Sequence, residues 1–351
     1  MAGRLGPLVF VLVLAGLYAV GDRLENYSLN RTIGCAYDLA RLDRPAPDLL
    51  FWGNSRAGAA IDPVYIERRI NHRRAEGVRV ERLAMTSPDT TAANVWARTY
   101  LRHRGAPEVI VLQLMYERDL DDVNRLGLPV HKPRSIAFGE LGDLYRVQAD
   151  AELSPAEHGL PPQLLPGYRS FIGVMLDKAV TNIYSVLESP KRSILGKARR
   201  CVDDEALGQS IIWMYDEDWP MTGPVHPRSA SESSAGIWAA NVAKYVPIDP
   251  ADPVRQFENH QLHEFIRLFE QRGSKVLLMQ LPTFGQPIAD EGGEALVREF
   301  SGNPIVDVHG HFRRVSAGSE SGYFRDQDHV NAEGAILISR YLADTLAGTL
   351  D

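Results

Sequence analysis

Short runs of consecutive apolar residues, separated by stretches of helical periodicity, constrain this chain more than any other feature. Leu49-Leu50-Phe51-Trp52 is closed by Gly53, and Val109-Ile110-Val111-Leu112 repeats the pattern. A strand with one wet face alternates apolar and polar residues, so uniformly apolar runs of this length mark strands buried on both faces. Val78–Met85, Val276–Leu281 and Ile305–Val308 supply three more candidate strands. Helical patterns fall between them, at Pro63–Arg73, Thr91–Arg104, Phe257–Gln271, Glu291–Phe300 and Ala332–Ala347. Val95, Thr99 and Leu101 are inward candidates of the second. Phe257, Leu262, Phe265, Ile266 and Phe269 line one face of the third, and Ile338, Leu342 and Leu346 recur every fourth residue in the last, which Gly348 can stop. Strand and helix alternating through short turns require a parallel sheet covered on both faces, an α/β architecture. In such sheets ligands sit beyond the carboxyl ends of the strands.

The alternation lapses once. Residues 116–252 hold scattered Pro, Gly and charge, with a helical pattern at Phe171–Leu187 and a strand-like run at Ile211–Tyr215. This segment reads as a large insertion after the third strand. The chain is then one interrupted domain, 46–351, behind a linker at 23–45 and a distinct N-terminal segment at 1–22.

That first segment sets the compartment. Leu5 to Gly21 are 17 residues without a charge, preceded by Arg4. As a helix they span roughly 25 Å, slightly less than a bilayer core. Two readings fit: a signal peptide cleaved after Ala19-Val20-Gly21, or a retained transmembrane signal anchor with Arg4 inside. We take the anchor, which places the remaining chain outside the membrane, periplasmic or extracellular. Cys35 and Cys201 are the only two cysteines; a disulfide and two buried thiols are both compatible with export. With 38 Lys and Arg against 45 Asp and Glu, and no long basic block, nucleic acid is a poor partner.

Two blocks carry chemistry-bearing residues to the expected edge. Gly53-Asn54-Ser55-Arg56 follows the first strand directly, where a hydroxyl sits in a tight turn and the next helix presents its amides. The second block, Phe324-Arg325-Asp326-Gln327-Asp328-His329-Val330-Asn331, precedes the last helix. In a turn Asp326 can hold one imidazole nitrogen of His329 and leave the other as a general base. Asn331 is a helix cap, and Gly334 permits close approach. Taken singly, Ser55 and Asn54 are equally ordinary cap residues.

Together the blocks resemble the SGNH (GDSL-like) hydrolase superfamily, over about residues 46–115 and 253–349. The resemblance implies a flavodoxin-like three-layer α/β/α fold, with Ser55 as nucleophile, His329 as base and Asp326 as orienting acid. Asp328 is the second candidate for that last role. The oxyanion blocks depart from the family, with no Gly in Met85-Thr86-Ser87-Pro88-Asp89 and no Asn in Gln113-Leu114-Met115-Tyr116-Glu117-Arg118-Asp119. Asn54, Arg56, Ser87 and Arg118 are the substitutes nearest to hand. An N-terminal membrane helix, Gly-Asn-Ser-Arg and a large insertion together are similar to the accessory acyltransferases of cell-envelope modification, of the alginate O-acetylation and D-alanyl transfer kinds. The resemblance implies a serine O-acyltransferase that works through an acyl-serine on an envelope polysaccharide, beside a membrane-bound O-acyltransferase and without a cofactor. An SGNH esterase or deacetylase is the neighbouring reading, and a non-catalytic glycan-binding protein on a degenerate scaffold the distant one.

Other signals are weaker. His260-x-x-His263 and Asp307-Val308-His309-Gly310-His311 have ligand-like residues, but no third ligand stands at a fixed spacing, so no metal is expected. His309 and His311 can line the cleft instead. Arg68-Arg69-Ile70-Asn71-His72-Arg73-Arg74 reads as a solvated basic face before a lipid-binding one. Trp213, Tyr215, Trp219 and Trp238 suit a core as well as a sugar-stacking surface. No G-x-x-x-x-G-K loop for a nucleotide occurs.

Overall fold

A computed structural model describes residues 44–84, 90–114, 253–282, 302–317, 319–324 and 329–350. The segments 1–22 and 116–252, most of the linker, the helical pattern at Glu291–Phe300 and both cysteines lie outside the described residues. Among the described residues no helix is long and apolar enough to cross a membrane.

Five parallel strands form one sheet in the order β2-β1-β3-β4-β5. They are β1 (Leu49–Gly53), β2 (Val80–Ala84), β3 (Val109–Gln113), β4 (Lys275–Met279) and β5 (Ile305–Val306). The apolar runs form the centre: every residue of β1 and β3 is buried, and Leu50 pairs with Ile110 as Trp52 pairs with Leu112. The residues between β3 and β4 are inserted between two strands that are neighbours in the sheet.

Each strand divides its side chains between two cores. Leu50, Trp52, Leu83, Ile110, Leu112, Val276 and Leu278 face one side, covered by α3 (Thr90–His103) and α4 (Pro253–Glu270). Trp96 and Tyr100 of α3 and Phe265 and Phe269 of α4 close over Trp52, whose ring meets that of Phe265 edge-on at 5.1 Å. Leu49, Phe51, Val109, Val111, Leu277, Met279 and Val306 face the other side. There α1 (Ser55–Ala60), α2 (Pro63–Asn71), α5 (Val308–Val315) and α6 (Ala332–Leu346) complete the third layer. The two clusters are the α/β/α layering that the alternation demanded. Each large side chain buried this way contributes roughly 1.5–3 kcal/mol of transfer free energy.

Element limits differ from the sequence reading for local reasons. Asn71 clamps Val78, its Nδ2 donating to the Val78 carbonyl at 2.9 Å and its Oδ1 accepting the Val78 amide at 2.6 Å, so β2 begins only at Val80. The fifth strand stops at Val306 because Asp307 caps a helix, accepting from the Gly310 amide at 2.8 Å. That helix, α5, is absent from the sequence reading. Thr99 and Leu101 are buried as expected, although Trp96 and Tyr100 carry the larger part of that face.

The basic run on α2 is a tie to α6. Arg69 grips Asp344 with Nε and Nη2, both at 2.8 Å, Arg73 adds a third contact at 2.8 Å, and Arg74 donates to the Leu350 carbonyl at 3.0 Å. A second tie lies beside the start of β2. There the buried Arg104 pairs with both oxygens of Glu81 at 3.0 and 2.9 Å and donates to the carbonyls of Arg44 and Pro45.

Candidate active site

Strand order reverses between β1 and β3, so β1 connects outward to β2 on one side and the chain returns to β3 on the other. A crevice opens beyond the carboxyl ends at such a point, because the two connections diverge there. Gly53, Asn54 and Ser55 stand on its β1 side and Gln113 on its β3 side.

The turn on the β1 side is tightly specified. A Cβ at Gly53 would lie 2.6 Å from the Ala57 Cβ and would also strike the Gln113 side chain, so only glycine lets α1 fold back at once. Asn54 is extended and caps α1, its Oδ1 accepting the Arg56 amide at 2.9 Å. Its own amide donates to Gln113 Oε1 at 3.0 Å. Asn54 is therefore an architectural residue of the turn. Ser55 is the first residue of α1; its side chain lies outside the described residues. Arg56 is half-buried in the first turn.

The second block is held at its neck. Phe324 and Val330 form an antiparallel bridge, which holds the two ends of the block beside each other. Asn331 anchors it three ways. Its amide donates to the Tyr323 carbonyl at 2.9 Å, its Nδ2 donates to the Gly322 carbonyl at 2.6 Å, and its Oδ1 accepts the Gly334 amide at 3.1 Å as the cap of α6. Both sequence expectations for Asn331 and Gly334 hold: a Cβ at Gly334 would lie 2.6 Å from the Tyr323 oxygen and 2.8 Å from the Val330 Cβ. His329 is half-buried immediately before this neck. Asp326 and Asp328 lie outside the described residues, as do Ser87 and Arg118.

The packing register brings the two blocks to one end of the molecule. Ser339, two turns into α6, accepts the Asp62 amide at 2.9 Å and donates to the Ala60 carbonyl at 3.4 Å. Beyond that point α2 and α6 run side by side in the same direction, as the Arg69–Asp344 and Arg74–Leu350 contacts require. Ser55 precedes Asp62 by about as many residues as Asn331 precedes Ser339, so both blocks start from the edge where the strands end. The Ser55 side chain and the whole of Asp326 lie outside the described residues.

The histidine-rich stretch after β5 has a different purpose from the ligand-like one. His309 is buried in the first turn of α5 at 4% exposure, and His311 stacks on Tyr341 of α6 at 3.9 Å. Burial, aided by Arg314, holds the His311 imidazole below its usual pKa. His263 is exposed on α4, and the His260 side chain lies outside the described residues. Among the described residues no group of three or more His, Cys, Asp or Glu could hold a metal ion.

Gln113 escaped the sequence reading as an individual residue. It ends the run Val109-Ile110-Val111-Leu112 and is fully buried, and a polar residue closing an apolar strand at the ligand edge was the available signal. No family model and no curated protein matches the chain.

Proposed function

We propose that the chain is an extracytoplasmic serine O-acyltransferase acting on an envelope polysaccharide, with Ser55, His329 and Asp326 as its triad. The observation that supports this reading is a glycine-dependent turn leading into Ser55 at the reversal point of a parallel sheet, with His329 just before the capped start of α6, a helix hydrogen-bonded to the end of α1 through Ser339. Such turns hold a hydroxyl and an imidazole on different elements in one crevice, which is what nucleophilic catalysis needs. The uncharged stretch Leu5–Gly21 supports a membrane tether, and a membrane-bound O-acyltransferase as acyl donor suits that setting.

The chemistry balances without a cofactor. Ser55 Oγ attacks the donor carbonyl carbon while His329 takes the hydroxyl proton; the proton then leaves with the donor's alcohol or thiol as that bond breaks. A sugar hydroxyl attacks the resulting acyl-serine, gives its proton to His329, and Ser55 recovers that proton. Hydrolysis differs only in water as acceptor, so transfer demands that water be excluded.

The test is Ser55→Ala in the full chain in its membrane. Acylation of the polymer is lost while the protein stays folded and tethered; normal acylation by the variant refutes the triad. Turnover of a model ester by the wild-type chain, without polymer acylation, favours the esterase.

A further inference from the structure

We infer that Gln113 is the positioning residue for Ser55, an assignment that rests on the acyl-serine reading. The residue is 0% exposed at the carboxyl end of β3. Its Oε1 accepts the Asn54 amide at 3.0 Å, and its side chain packs where any Cβ on Gly53 would fall. Gln113 thus touches both residues that precede Ser55, across the reversal point of the sheet.

The orientation of this carboxamide is forced. A backbone N–H can only donate, so the oxygen must face Asn54 and the NH2 group must face away. Among the described residues Gln113 Nε2 is buried with no hydrogen-bond partner. Burying a donor without a partner is a cost to stability, and a methionine of similar size would avoid it. The other half of the same side chain sets the backbone from which Ser55 projects. A polar residue that weakens the core while fixing a nucleophile's turn is the pattern expected where geometry is held at the expense of stability. Asn54 is held by Gln113 on one side and by its own cap on Arg56 on the other. Loosening the first of these holds moves Ser55 relative to His329.

The experiment uses the full chain in detergent and a fluorophosphonate that forms a covalent bond with an activated serine, with the labelled site read by mass spectrometry. Gln113→Met keeps the volume and removes the acceptor. Gln113→Glu keeps an oxygen facing Asn54. In Gln113→Met the maximal labelling rate at Ser55 falls by about 10²-fold, the cost of a displacement near 1 Å. Its half-saturating concentration holds, and its Tm stays within about 3 °C of wild type because the lost bond and the removed unpaired donor offset. Gln113→Glu restores most of the rate. Undiminished labelling in Gln113→Met, with Ser55 labelled in wild type, overturns the inference and leaves the acyl-serine reading intact. A large fall in Tm that accounts for the lost rate, with Gln113→Glu no better, makes the residue merely structural and also overturns it. No labelling of Ser55 in the wild-type chain overturns the triad itself.

Discussion

Gly334 offers a test in which two known effects oppose each other and the structure decides between them. It is the third residue of α6, and in a helix Gly→Ala ordinarily stabilises by as much as about 1 kcal/mol. Here the new Cβ would lie 2.6 Å from the Tyr323 carbonyl oxygen and 2.8 Å from the Val330 Cβ. Neither neighbour is the free end of a flexible side chain. The Tyr323 carbonyl already accepts the Asn331 amide, and Val330 is bridged to Phe324. Overpacking costs ~1–3 kcal/mol, and a clash with a fixed backbone oxygen belongs at the upper end, so after the helix gain a net loss approaching roughly 2 kcal/mol remains. Thermal unfolding should show a Tm lower by several degrees, at ~2–4 °C per kcal/mol for a domain of this size. Gly348→Ala is the internal control: nothing lies within 4 Å of its Cβ position and no positive φ intervenes, so it should be neutral or stabilise by up to ~1 kcal/mol. Because the neck of the loop must shift in Gly334→Ala, labelling of Ser55 should slow as well. A Gly334→Ala variant as stable as wild type would refute the view that this close approach holds the loop.

Two further outcomes follow from the charged contacts. Arg104→Met should destabilise by about 3 kcal/mol in urea unfolding, the lower end for breaking a buried pair, because Arg44 still reaches Glu81 at 2.9 Å. A loss well under 1 kcal/mol would show that Arg44 and Arg79 neutralise Glu81 unaided. Asp344→Asn tests the tie between α2 and α6. Hydrogen bonding from Arg69 holds the Asp344 carboxyl below its usual value, so the ion pairs stabilise at neutral pH and fade as acid titrates the folded carboxylate. These side chains are 31–48% exposed, so the gap between wild type and variant should be only about 0.5–1 kcal/mol at pH 7. It should close as the pH falls below 3.8 and shrink in molar salt, and a gap that persists at pH 2 would assign the effect to packing.

Particular residues mark the boundary between what was legible in the chain and what was not. Leu49–Trp52 and Val109–Leu112 announce buried strands because a parallel sheet between two helix layers demands apolar side chains on both faces. Asn331, Gly334 and the spacing Ile338–Leu342–Leu346 are equally legible, since capping and helical periodicity are local properties. The helix α5 was not, because Asp307, His309 and His311 look like a ligand set until Asp307 is seen to cap and His311 to lie on Tyr341. The basic run at Arg68–Arg74 is a largely solvated face as its pattern suggests, but its partners, Asp344 and the Leu350 carbonyl, lie more than 270 residues away and no local pattern named them. By itself the sequence determined the fold class, the turn at Gly53 and the capped start of α6, all of which depend on neighbours in the chain. The tertiary structure alone decided that Gln113 meets Asn54, 59 residues distant, and that α6 runs alongside α2. Strand order and helix register are set by packing between elements, and no local pattern encodes them.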